Sequence, residues 1–230
     1  MRVWSRADWG ARPPKSVTPA EPPQVYAVVH HTVTYWPDSP YDAAAQCRNI
    51  QAFHMDDRGW ADIGYSWLVG SGDVYEGRGW GVAQAAQVGY NSTALSFAIL
   101  GDGSYTPAPR EDLEAVAQAI RSGIALGQLP HDVPIVAHRD LNPDTACCGD
   151  AIYEQLDTIR NLVYGGGPVN PTEQIVADMY RLWALREGDP GGIKYWAEQI
   201  DAGTDPQYVA FQMLYNEGWQ RMVDRTGGRG

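Results

Sequence analysis

His138-Arg139-Asp140-Leu141-Asn142-Pro143-Asp144-Thr145-Ala146-Cys147-Cys148-Gly149 places an imidazole and a thiol nine residues apart, across a turn built from Asn-Pro-Asp. Just before it, Ile135-Val136-Ala137 is a short apolar run that reads as a strand delivering His138. Far upstream, Val28-Val29-His30-His31-Thr32 brings a second imidazole to the end of another apolar run. Two nitrogens and one sulfur from distant segments make a three-ligand zinc set. Three protein ligands leave the fourth position to a reacting water, whereas a structural site closes with a fourth Cys or His. The residues predict one zinc ion per chain, in a hydrolase.

The surrounding pattern alternates strands with helices. Val25 to His30 reads as a strand, and Asp42 to Asp56 has helical spacing, with Asp42 as its N-cap and Arg58-Gly59 as its end. Two runs, Tyr65 to Val69 and Val74 to Arg78, flank Ser71-Gly72-Asp73 as a hairpin. Leu95 to Leu100 is a third strand, stopped by Gly101-Asp102-Gly103. Pro109 to Leu126 is an amphipathic helix with Leu113, Val116, Ala117, Ile120 and Ile124 on one face. Asp150 to Leu162 closes the domain as a helix, and prolines 13, 14, 19, 22 and 23 keep the first segment extended. Such an order predicts an α/β fold, a mixed central sheet flanked by helices.

Tyr164-Gly165-Gly166-Gly167-Pro168 marks a boundary. The expected organisation is a catalytic domain over 1–163, a Gly/Pro linker over 164–171 and a small all-helical module over 172–222. In that module Thr172 caps a helix bearing Ile175, Val176, Met179, Tyr180, Leu182 and Trp183. Gly188-Asp189-Pro190-Gly191-Gly192 breaks it, and Ile193–Ile200 and Pro206–Tyr215 follow as shorter helices. The module has no His or Cys and hence no metal chemistry.

Composition narrows the partners. With 44% hydrophobic residues and 9 Trp among 230, the chain buries a real core and is not disordered. A formal charge of −11 argues against nucleic acid, which needs a basic stripe to release counterions, and against anionic lipid. No stretch approaches the ~20 apolar residues that span a bilayer. Met1-Arg2-Val3-Trp4-Ser5-Arg6 runs into Ala7-Asp8-Trp9 without an apolar signal core, so the expectation is synthesis in the cytoplasm. Three cysteines are a poor number for a disulfide framework; with Cys147 on zinc, Cys47 and Cys148 are left to pair or to stay as buried thiols. His138-Arg139-Asp140 also occurs in kinase catalytic loops, but the Gly-rich loop, strand lysine and downstream Asn of a kinase are missing.

His-His-Thr at a strand end, Trp60-Ala61-Asp62-Ile63-Gly64-Tyr65, and His-Arg-Asp followed by Thr-x-Cys-x-Gly stand in one order. That set, from about Trp4 to about Leu162, resembles the zinc-dependent N-acetylmuramoyl-L-alanine amidases related to phage lysozyme-amidases and peptidoglycan recognition proteins. The resemblance implies cleavage of the amide between N-acetylmuramic acid and L-alanine in peptidoglycan. The missing leader then fits a bacteriophage endolysin that reaches the wall after release and lyses the cell. The C-terminal pattern resembles a helical module of exported bacterial proteins, with Ala184-Leu185-Arg186 in place of the usual Leu-Gly-Arg.

The resemblance also assigns roles. His30 and His31 point to opposite faces of a strand, and the family uses the first, so the ligands become His30, His138 and Cys147. His31 is read as a supporting or substrate-side residue. Tyr65 is the phenol facing the zinc, and Thr145 stands where relatives place a Lys or Thr near the same oxyanion. Asn91, in the loop after Gln84 and Gln87, lines the substrate groove, and Glu76 is structural or substrate-positioning. Two alternatives use the same fold: a peptidoglycan-binding protein without catalysis, which predicts a lost ligand, and a cytoplasmic muropeptide-recycling amidase, which usually has Asp where Cys147 stands.

Overall fold

The computed structural model describes residues 1–165, 172, 176, 190–206, 208, 209 and 212. The chain divides into two compact units, Met1–Gly166 and Gly167–Gly230. The first unit is built on a six-stranded mixed sheet. Its strands are β1 (Val3–Trp4), β2 (Tyr26–His31), β3 (Trp67–Gly70), β4 (Asp73–Glu76), β5 (Ala94–Ile99) and β6 (Ile135–Ala137), in the order β1-β4-β3-β5-β2-β6. Only the β3–β4 hairpin is antiparallel; every other neighbouring pair is parallel. The sheet is therefore the mixed, helix-flanked α/β arrangement that the alternating pattern predicts.

Side chains alternate across the strands and fill two cores. Val29, Trp67, Val69, Phe97 and Ile99 face α2 (Arg110–Ala125), where they meet Leu113, Val116 and Ile120. Leu68, Tyr75, Ala98 and Leu100 face the other way, towards α1 (Pro40–Ala52), where they meet Ala43, Ala44, Cys47 and the fully buried Trp9. All six residues of β5 are buried, as a central strand covered on both faces requires. Cys47 and Cys148 thus lie in different cores, and all three cysteines are free.

Several boundaries move for local reasons. The first helix starts at Pro40, not Asp42, because Ser39 is the N-cap: its Oγ accepts from Asp42 N at 3.2 Å, and Pro40 takes a first-turn position that needs no N–H. It also stops at Ala52, and a π-helical turn over Phe53–Asp57 follows, with Arg58 N bonded to Phe53 O at 3.1 Å. The helix expected over 150–162 is two pieces after the one-turn α3 (His138–Leu141): α4 (Asp150–Tyr153) and α5 (Leu156–Tyr164). Gln155, between them, clamps Ala108 through both its N–H and its C=O, at 2.8 and 3.0 Å, and so fixes the break. The short β1 adds an edge to the sheet that the sequence pattern does not foretell; Trp4 stacks on Tyr75 at 5.6 Å.

In the second unit α6 (Pro190–Asp201) begins ahead of the expected Ile193. Pro190-Gly191-Gly192 forms the first turn of this helix, a position where proline is tolerated. Val176, Ala197 and Val209 form its small core with Ile193, Trp196 and Ile200. The expected Gly/Pro linker beyond Gly165, the helix from Thr172 apart from residues 172 and 176, and most of the helix from Pro206 lie outside the described residues. Among the described residues no helix is long and apolar enough to cross a membrane.

The hairpin turn carries a buried acid. Ser71 and Gly72 both have positive φ, 51° and 73°, the backbone of a tight two-residue turn. Gly72 N donates to Asp112 Oδ1 at 2.7 Å, whereas Asp112 Oδ2 is buried without a partner. Burial, with Glu111 and Asp73 adding repulsion, pushes this carboxyl up to about 6. A carboxyl raised above its unfolded value stabilises the fold only while protonated, and that contribution is lost as pH rises through 6. Asp112→Asn should therefore stabilise the protein by about 1–2 kcal/mol at pH 8 and by almost nothing at pH 4. Denaturant melts of both proteins at the two pH values check this, and a gain that does not depend on pH would reject it.

Candidate metal centre

Parallel pairing builds the site. Val29 stands opposite Ala137, so the next residue of each strand, His30 and His138, emerges side by side at the carboxyl ends of β2 and β6. Open α/β sheets place their ligand crevices at this edge. The two imidazole rings are 4.6 Å apart. Cys147 returns from the turn after α3, and its Sγ lies 3.5 Å from His30 Nδ1. One nitrogen from each histidine and the Cys147 sulfur all fall within 4.8 Å of one another. The expected donors are thus together, as a set that can hold a metal ion.

Their protonation chemistry fits a cation. Burial pushes the Cys147 thiol up to about 11, so it keeps its proton among these neighbours alone. Burial likewise holds His30 well below the usual imidazole range, with the nearby His138 reinforcing it, and lowers His138 too. Neutral imidazoles are ready ligands, and a bound cation deprotonates a coordinating thiol outright.

Arg139 and Asp140 explain the residues after His138. Arg139 N donates to Cys147 O at 2.9 Å, its guanidinium bonds to Ala146 O, and it pairs with Asp150 at 2.6 Å. Cys147 is therefore tied to the helix that starts at His138. Asp140 Oδ2 accepts from Ala137 N at 2.8 Å, and Tyr153 OH donates to Asp140 Oδ1 at 3.0 Å. Both charged residues brace the donor loop.

A cleft of about 420 Å³ opens over the donors. Tyr65 lines it, its ring 5.5 Å from the ring of His30, and burial pushes its phenol up, so the O–H keeps its proton. Gly77 leaves room for the Tyr65 backbone: a Cβ there would come within 2.3 Å of Tyr65 O, which accepts from Arg78 N at 2.9 Å. Thr145 lines the cleft too. Its Oγ1 accepts from Cys147 N at 3.2 Å, which leaves the hydroxyl hydrogen for another partner. His31 also borders the cleft, and its Nδ1 accepts from Gly103 N at 3.1 Å.

Two of the expected residues serve the scaffold outside the cleft lining. Glu76 accepts from Arg6 N at 3.1 Å, and Asn91 Oδ1 accepts from Gln87 N at 2.9 Å. Asp62, from the motif that ends in Tyr65, is buried against Arg6 at 2.9 Å.

His54 escapes the sequence reading. It lies in the π-helical turn, lines the cleft, stacks on Trp60 at 4.6 Å and comes within 5.8 Å of the Tyr65 ring. Its Nδ1 accepts from Gly64 N at 3.0 Å, so its proton sits on Nε2. Burial, then Arg58 and Arg78, lower it to about 4, which keeps it neutral at ordinary pH. The available signal was a histidine six residues before Trp60, at the end of a helical pattern that also supplies core residues.

The family model described as N-acetylmuramoyl-L-alanine amidase matches residues 20–150. Peptidoglycan-recognition protein SC2 of Drosophila simulans is 34% identical over 162 residues, which cover 70% of this chain and 88% of that protein. The structure of wild-type Drosophila PGRP-LB superposes with a TM-score of 0.67 at 33% identity, covering 69% of this chain and 94% of that one. Peptidoglycan recognition protein-LE, solved in complex with tracheal cytotoxin, a monomeric diaminopimelic acid-type peptidoglycan, gives a TM-score of 0.66 at 30% identity. It covers 68% of this chain and 92% of that one.

Proposed function

The chain belongs to the N-acetylmuramoyl-L-alanine amidase family, and from that premise we propose that it is a zinc-dependent amidase. It cleaves the bond between N-acetylmuramic acid and L-alanine in bacterial peptidoglycan. The observation that carries this reading is the convergence of His30, His138 and Cys147 beside Tyr65 in one cleft. A protein that only binds peptidoglycan has no need of three intact metal donors beside a protonated phenol, and a recycling amidase with Asp as third ligand fits Cys147 less well.

Zinc in such a site lowers the pKa of water from ~16 towards ~7 and polarises a carbonyl. The side chains do the rest. Tyr65 donates its O–H to the oxygen of the lactyl carbonyl as negative charge builds there, and the free hydroxyl hydrogen of Thr145 offers a second donor. His54, neutral with its proton on Nε2, presents a further hydrogen-bond donor to the bound polymer, and Trp60 backs it as an apolar wall. Water oxygen adds to the carbonyl carbon, a proton from that water passes to the amide nitrogen, the C–N bond breaks, and L-alanine leaves as a free amine.

We also propose a lytic role as an endolysin, with residues 172–222 tethering the enzyme to the wall. Mass spectrometry of purified peptidoglycan after digestion tests the activity. Products should be peptide stems with a free L-alanine amine and glycans with intact lactyl carboxylates, lost with chelator and restored by zinc. A chain ending at Tyr164 should release the same products from soluble muropeptides but fewer from insoluble walls, because tethering raises only effective concentration. New reducing sugar ends, or binding without any product, would reject the amidase reading; equal action on walls would reject the tether.

A further inference from the structure

The second nitrogen of His30 is the point of departure. Nδ1 faces the Cys147 sulfur, so Nε2 points away from the donor set. That nitrogen is buried without a hydrogen-bond partner among the described residues. The side-chain amide that acts on this ring is that of Gln87. Gln87 is only 1% exposed, and Gln84 only 2%.

These two glutamines form a chain of amides. Gln84 Nε2 donates to Gln87 Oε1 at 2.7 Å and to Ala94 O, on β5, at 3.0 Å. The backbone holds the loop in register, since Gln84 N donates to Asn91 O at 2.9 Å and Gln87 N to Asn91 Oδ1 at 2.9 Å. An amide oxygen has two lone pairs, and Gln84 uses one of them. Buried amides are costly on an apolar wall, and nothing in the two cores calls for a pair of them at this place.

We propose that Gln87 is the positioning residue for His30, its side-chain oxygen accepting the Nε2 proton while Gln84 holds that oxygen in place. The proposal rests on the reading of His30 as a metal ligand. A neutral imidazole carries one N–H, so Nδ1 has a free lone pair only when the proton sits on Nε2. Gln87 selects that tautomer and fixes the ring plane, the task that carbonyl or carboxylate partners perform for metal-bound histidines. Without it, the Nδ1–H tautomer would turn a proton towards Cys147. Asn91 acquires a role as well, as the residue that anchors Gln87.

The test uses the full chain, Gln87→Met, which keeps length and removes the acceptor, and Gln87→Glu, which restores an acceptor. Zinc affinity is measured by competition with a chelator, and the His30 tautomer by nitrogen–proton NMR of the metal-free proteins. Gln87→Met should weaken zinc binding by roughly 10- to 100-fold. It should also shift His30 from Nε2–H towards Nδ1–H, and Gln87→Glu should reverse both changes. Wild-type protein that binds no zinc, yet shows the tautomer shift in Gln87→Met, would remove the metal reading and leave the positioning role standing. An unchanged tautomer in Gln87→Met, or losses that Gln87→Glu fails to rescue, would overturn the proposal.

Discussion

Cys147→Ser and His138→Ala should each abolish stoichiometric zinc binding and lower amide cleavage by about 10³-fold or more, in proteins that remain folded. Serine keeps the shape of Cys147 but offers a hydroxyl that does not ionise near neutral pH, so one of three donors is lost. Alanine at 138 removes the second imidazole outright. The fold should survive because His138 begins the helix beyond the core that Ala137 closes, and Cys147 packs only against the edge of that core, where serine has nearly the same shape. Arg139 still ties the loop to that helix through backbone oxygens in either variant. Metal-to-protein ratio, circular dichroism and rate of product release are the measurements. Full zinc occupancy in both variants would dismiss these residues as ligands, and full activity without zinc would dismiss the metal itself.

Tyr65→Phe should lower kcat by roughly 10²-fold and leave KM nearly unchanged. The substitution removes one oxygen and keeps the ring against His30 and His54, so binding surface and packing persist. Only an interaction made as the carbonyl oxygen gains charge is lost, which is the pattern that lowers kcat alone. Burial keeps the phenol protonated over the working pH range, so the loss should be the same at pH 6 and pH 9. A proportionate rise in KM would instead make Tyr65 a binding residue, and a wild-type kcat would make it a packing one.

Local signals wrote much of the sheet into the chain. The apolar run ending at His30, the short run before His138, the hairpin around Ser71-Gly72 and the amphipathic face of Arg110–Ala125 are each marked by residue type and short-range period. The donor types were readable for the same reason: thiols and imidazoles are scarce, and their chemistry does not depend on context. Capping was readable in principle at Ser39-Pro40, where the N-cap serine three residues earlier outweighs Asp42. The break at Gln155 was not, because it is made by Ala108 across the domain.

What the sequence determined is the inventory of donors and the alternation of strands and helices, since both rest on residue type and short-range period. What the tertiary structure decided is which residues share the cleft. His30 and Cys147 are 117 positions apart and meet because the parallel register of β2 and β6 sets His30 and His138 abreast and Arg139 folds the loop back. His54 enters through a π-helical turn, a feature that leaves no periodic mark. Glu76 and Asn91 follow the same logic in reverse, spent on Arg6 and Gln87 outside the cleft. A polar side chain in a loop has many partners within reach of its type, and only the packed fold selects one.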